Sequence, residues 1–194
     1  MRPAVILVPA AICLACPGSQ KPPGDEVMGT FSFIATPVSL DCTLTEVPDG
    51  GFPFDATFSR NKVPGTQAWI TSFGSSRTGT FDGQYVASDL IAARTFTNVH
   101  NVACGSINVD EFVHVALLSA SQDALLGSTC PATDVLFDGG IPGPDAGAAP
   151  PSSQLSGFDA VHACGILTDV TLPDAGNPCG GQCMLSYTID GKRK

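Results

Sequence analysis

Phe52-Pro53-Phe54-Asp55-Ala56-Thr57-Phe58-Ser59 is the stretch that decides the fold. Phe52, Phe54, Ala56 and Phe58 fall on one face; Asp55, Thr57 and Ser59 fall on the other. An extended chain points successive side chains to opposite sides, so this period of two predicts a half-buried strand. Upstream, Thr30-Phe31-Ser32-Phe33-Ile34-Ala35 alternates in the same way, with Phe31, Phe33 and Ala35 inward. Downstream, residues 67–73 hold the only tryptophan, Trp69, on the face of Thr71 and Phe73.

The pattern continues to the end of the chain. Thr78-Gly79-Thr80-Phe81, Asp82-Gly83 and Gln84-Tyr85-Val86 predict a hairpin with a two-residue type I′ turn at Asp-Gly. Further strands are expected at 91–99, 106–118, 165–172 and 184–190, with Leu185, Tyr187 and Ile189 alternating in the last. Two short helices are possible. One spans 121–126, capped by Ser121 and stopped at Gly127. The other opens at Ser156-Gly157-Phe158-Asp159 as a capping box and reads equally well as strand. Only three Glu and four Lys occur, so polar helix formers are scarce. The expected fold is all-β: an antiparallel β-sandwich, with a small closed β-barrel as the alternative. A barrel would bring an interior able to hold a small ligand.

Composition bounds the function. The chain has 194 residues, 43% apolar and 14% charged, with 21 Gly, 16 Pro and 8 Cys. That is too apolar for a disordered chain and has no collagen period. Eighteen acids against nine Lys and Arg give a net charge of −9. Nucleic acid is excluded as a partner, because a binder needs cations to displace counterions from phosphates. All the acids lie between Asp25 and Asp190, where the only cations are Arg60, Lys62, Arg77 and Arg94. Lys192-Arg193-Lys194 closes the chain as a basic tail, read either as disordered or as a weak contact to anionic lipid or polysaccharide.

Residues 1–15 read MRPAVILVPAAICLA: one cation, then thirteen uncharged residues. This is the pattern of a secretory signal, and it is too short to span a bilayer. Pro17-Gly18-Ser19-Gln20-Lys21-Pro22-Pro23-Gly24 follows as a Pro/Gly tether, expected over 16–27. A single domain is expected over 28–194. Without Cys13 and Cys16, six cysteines remain as disulfide candidates: Cys42, Cys104, Cys130, Cys164, Cys179 and Cys183. In an exported chain an even number reads as three bridges, and fifteen pairings are open. The low-complexity stretch 138–153 has three of these cysteines on each side. If all six pair, at least one bridge crosses it, so it reads as a long loop within one domain rather than a linker.

No catalytic set stands out. Gly-x-Ser-x-Gly, a phosphate loop and a dinucleotide fingerprint are all missing. His114 lies between Val113 and Val115 in an expected strand. Asp110 and Glu111 are adjacent, so a strand sends them to opposite faces, where they cannot cooperate. His162, two residues before Cys164, and the Cys179–Cys183 spacing could be drawn into a zinc site. Disulfide chemistry is preferred there, and no metal or cofactor is expected. The Asp-Gly and Asp-Ala-Gly segments at Asp49, Asp82, Asp138, Asp145 and Asp174 lack calcium-loop spacing and read as turns.

Cys13-Leu14-Ala15-Cys16 resembles a bacterial lipobox, with Cys13 where that pattern prefers Leu. The resemblance implies a lipid on Cys16, loss of residues 1–15 and attachment to the membrane through that lipid. Pro17 in place of Asp implies the outer membrane; ordinary signal cleavage and secretion is the alternative. The lipobox, the PDGG and PDAG turns, GTFSFIATPVSLDC and CMLSYTIDGKR together resemble the β-rich lipoproteins of myxobacteria and related bacteria. That implies a location in the cell envelope more than an activity. The expected function is a non-catalytic, lipid-anchored envelope protein that binds or scaffolds a protein or polysaccharide partner. A hydrolase of unrecognised type and a barrel-type carrier of a small apolar ligand are the alternatives.

Overall fold

The computed structural model describes residues 21–40, 51–62, 67–97, 103–132, 159–171 and 184–194. Eight antiparallel strands close on themselves in chain order. They are β1 (Glu26–Leu40), β2 (Phe52–Arg60), β3 (Gln67–Ser72), β4 (Ser75–Phe81), β5 (Tyr85–Thr97), β6 (Ala103–Ser119), β7 (Ala160–Thr171) and β8 (Met184–Arg193). One helix, α1 (Ala120–Leu125), lies between β6 and β7. The all-β antiparallel architecture expected from the alternation is present, and of the two forms considered the chain adopts the closed barrel. The reason is the register between first and last strands. Phe31 pairs with Arg193 and Leu40 with Leu185, so β1 and β8 satisfy each other's outer edges.

Closure also settles the basic tail. Lys192 and Arg193 belong to β8. The Lys194 amide donates to the Thr30 carbonyl, its Nζ reaches Asp55 at 2.6 Å, and Arg193 donates to the Ala160 carbonyl at 2.9 Å. The tail is the last rung of the barrel and is ordered as strand.

The phase of the alternation is as read. Phe31, Phe33, Ala35, Ala56, Phe58, Leu185, Tyr187 and Ile189 are buried inside. Ser32, Asp55, Thr57, Thr71, Ser76 and Thr188 face outward; Ser32 bonds Asp55, Thr30 bonds Thr57, and Thr71 bonds Ser76 across strands. An apolar interior with a hydroxyl-rich wall is the reverse of a membrane-spanning barrel.

Local details differ. The strands expected at 84–86 and 91–99 belong to one continuous β5, Tyr85–Thr97, with 98–99 outside the described residues. Around Asp82-Gly83 only Gly83 has positive φ, +111°. Asp82 Oδ1 accepts from the Gln84 and Tyr85 amides, so the aspartate caps the turn instead of occupying its left-handed position. A turn with two positive φ values sits elsewhere, at Phe73 (+50°) and Gly74 (+74°), between β3 and β4. The cap of α1 is Ser119, not Ser121, in a capping box with Gln122. Gly127 (φ +69°) ends the helix: its amide donates to Ala124 and the Ser128 amide to Asp123, the Schellman pair. The 156–165 stretch resolves to strand from Ala160 onward.

The expected tether over 16–27 runs into the barrel: β1 starts at Glu26, and the Asp25 amide donates to the Arg60 carbonyl. This end of the barrel is closed. Phe31 and Phe58 meet edge to face at 5.6 Å, with Met28, Ala68, Val86 and Leu117 buried around them. Arg60 seals the rim, paired with Glu26 at 2.8 Å and placed 5.7 Å over the Phe81 ring.

Candidate functional site

Toward the other end, where β1 finishes and β8 begins, the interior is not filled. A cavity of about 300 Å³ lies there, walled by Phe52, Phe54, Val113, Leu167 and Tyr187 among others. The size is at the lower end of ligand pockets, about 300–1,000 Å³. The wall follows from the sequence: Phe52 and Phe54 are the inward residues of the first turn of the alternation on β2, and Tyr187 is the inward residue opposite on β8. Phe52 and Tyr187 rings meet edge to face at 5.5 Å.

Phe73 completes the rim. It is 64% exposed, yet its ring stacks on Phe54 at 5.2 Å. The left-handed conformation is costly for an aromatic residue, so the turn holds this ring at the mouth against its backbone preference.

The cavity has one polar corner. Arg77 on β4 and Glu111 on β6 are 5% and 1% exposed and point inward. Arg77 Nε donates to Glu111 Oε1, and Nη2 donates to Oε2 at 3.4 Å. Nη1 donates to Ser72 Oγ at 2.8 Å. Asp169 on β7 is buried in the same corner. Burial lowers the pKa of the Arg77 guanidinium, and the Asp169 charge opposes that. Burial raises the pKa of the Tyr187 phenol, with Asp169 adding to it, so its hydroxyl stays a hydrogen-bond donor. The corner thus presents one guanidinium, two carboxyls and a phenol in an apolar cup.

The sequence-level candidates scatter. Asp110 and Glu111 point to opposite faces; Asp110 stands on the outer wall with its pKa raised by desolvation and then by Asp89. His114 also faces outward, its ring 5.4 Å from Tyr85, and burial lowers its pKa. Cys130 and Cys164 form a disulfide, Cα atoms 5.4 Å apart, joining chain from either side of 138–153. His162 lies beside it, fully buried, on the outer wall beneath α1. Cys16, Cys42, Cys179, Cys183, His100 and the loop 138–153 lie outside the described residues; Cys104 lies on β6, its side chain outside them.

Arg77 and Asp169 did not stand out in the sequence, and Glu111 did so only as half of a carboxylate pair. Their signal is a charge in an apolar phase: Glu111 alternates in step with Val109, Val113 and Val115, and Asp169 with Leu167. No family model, curated protein or solved structure matches this chain.

Proposed function

We propose that this protein is a lipid-anchored envelope protein whose barrel binds a small, largely apolar ligand with a neutral or cationic polar head. One observation carries the reading: an aromatic-walled cavity of about 300 Å³ with a buried Arg77–Glu111 pair at its polar corner. A buried charge pair is expensive to keep in an apolar interior, which favours a role beyond stability. Two carboxyls against one guanidinium disfavour an anionic head and suit a donor or a cation.

Two measurements test the two halves. N-phenyl-1-naphthylamine should gain fluorescence on binding the wild-type barrel. Ala56→Phe, which fills the cavity from β2, should abolish the gain while the circular dichroism of the barrel persists. Equal binding by both proteins would sink the carrier reading. A palmitate analogue supplied to cells should label the wild type and not Cys16→Ala; equal labelling, or none, would sink the anchor.

A further inference from the structure

A second cluster, outside the barrel wall, has the arrangement of a metal site closed by oxidation. Cys130 Sγ, Cys164 Sγ and a nitrogen of His162 all lie within 4.8 Å of one another. His162 Nε2 sits 3.5 Å from each sulfur. In a tetrahedral zinc site, with Zn–S about 2.3 Å and Zn–N about 2.05 Å, the N···S edge is about 3.6 Å. Both of those edges are already in place. Only the S···S edge must open, to about 3.8 Å in the same tetrahedron. Asp190 Oδ1, 2.8 Å from His162 Nε2, is the fourth donor at hand.

The surroundings treat His162 as a ligand. Its Nδ1 is bonded to Asp123 Oδ1, which leaves Nε2 aimed at the sulfurs. A carboxylate on the second ring nitrogen is how metal-ligating histidines are oriented. Asp123 is itself held: it lies on α1, its carbonyl accepts the Ser128 amide of the Schellman turn, and its carboxylate accepts the Ser128 hydroxyl at 3.2 Å. Lys192 Nζ lies 2.9 Å from Nδ1 and 3.5 Å from Asp123 Oδ1, adding a cation beside the carboxylate. Cys130 is only half-buried, so a small thiol reductant has a sulfur to attack.

We infer that Cys130, Cys164, His162 and Asp190 form a redox-gated zinc site, with Asp123 as its positioning residue. A dithiol reduces the Cys130–Cys164 disulfide, yielding two cysteine thiols and the oxidised, cyclic disulfide of the reductant. Zn²⁺ then displaces the two thiol protons and the proton that Nε2 shares with Asp190, and is held by both sulfurs, Nε2 and the Asp190 carboxylate. Exchange with an external low-molecular-weight disulfide, which takes up two electrons and two protons and leaves as two thiols, restores the Cys130–Cys164 bond and releases Zn²⁺. The site is independent of the ligand cup, from which the barrel wall separates it.

The test uses Co²⁺ as a spectroscopic stand-in for Zn²⁺ on the purified chain. After reduction with dithiothreitol and its removal under anaerobic conditions, Co²⁺ should give thiolate charge-transfer bands and tetrahedral d–d bands. Zn²⁺ should bleach them, and the oxidised chain should give none. Because other cysteines are also reduced, His162→Gln and Cys130→Ser should each remove this one tetrahedral set. Asp123→Asn should keep the band shape and weaken affinity about 10- to 100-fold. Bands unchanged in His162→Gln, or no bands in the reduced wild type, would overturn the site. Should Cys130→Ser fail to fold, His162→Gln decides alone, since it leaves the disulfide able to hold the oxidised fold during purification.

Discussion

At the scale of single residues, charge inside an apolar barrel is the decisive feature, and it carries the sharpest stability predictions. Arg77→Met strands Glu111 and Asp169 together in the cup. It should cost about 3–5 kcal/mol in urea unfolding, the range for breaking a buried pair. Glu111→Leu should cost clearly less, because Asp169 still faces the Arg77 guanidinium. Equal losses would mean Asp169 does not share in the corner. His114 gives a pH prediction. Burial holds its folded-state pKa below the ordinary 6.5, so the unfolded chain takes up a proton that the folded chain resists. The stability this represents is full above pH 6.5 and is lost as pH falls through the lower folded-state value. The difference in urea midpoint between wild type and His114→Gln should therefore change on going from about pH 8 to about pH 5, with the wild type losing more. A constant difference would remove the assignment.

At the scale of elements, alternation was legible and turn chemistry only partly so. The inward phases of β1, β2 and β8 could be read because Phe, Ala and Leu recur every second residue there. The Phe73–Gly74 turn was hidden, because a bulky aromatic at positive φ violates the rule that places Asn or Gly in such turns. The Ser119 cap was missed for a simpler reason: Ser119 and Ser121 are equivalent in composition, and only the reciprocal Gln122 bond selects the first. The polar corner was legible only as a break in an apolar phase, a signal that needs the strand register to be interpreted. The same turn separates stability from function. Phe73→Asn should relieve the left-handed strain and raise stability by about 1 kcal/mol. It also strips the ring from Phe54 at the mouth, so N-phenyl-1-naphthylamine should bind more weakly. A variant that gains stability with unchanged binding would mean the aromatic at the rim is not part of the site.

At the scale of the whole molecule, two closures act on different parts of the chain. The β1–β8 pairing joins the ends of the barrel, and nothing local in the sequence announces it. A period of two is common to open sheets, sandwiches and barrels; only the long-range register of Phe31 with Arg193 distinguishes them. The Cys130–Cys164 bridge lies outside the wall and ties 34 residues into a loop. It therefore constrains the unfolded chain without holding the barrel shut. The loop-closure relation for that length gives about 3–4 kcal/mol. Cys130→Ala/Cys164→Ala should accordingly unfold at lower urea by that order, while its far-ultraviolet spectrum and its N-phenyl-1-naphthylamine binding stay those of the wild type. The folding rate should carry most of that loss and the unfolding rate little of it, because the cross-link acts chiefly through the denatured ensemble. If the double variant instead lost the barrel signal or the probe site, the bridge would be a structural member of the cup and not an external clasp.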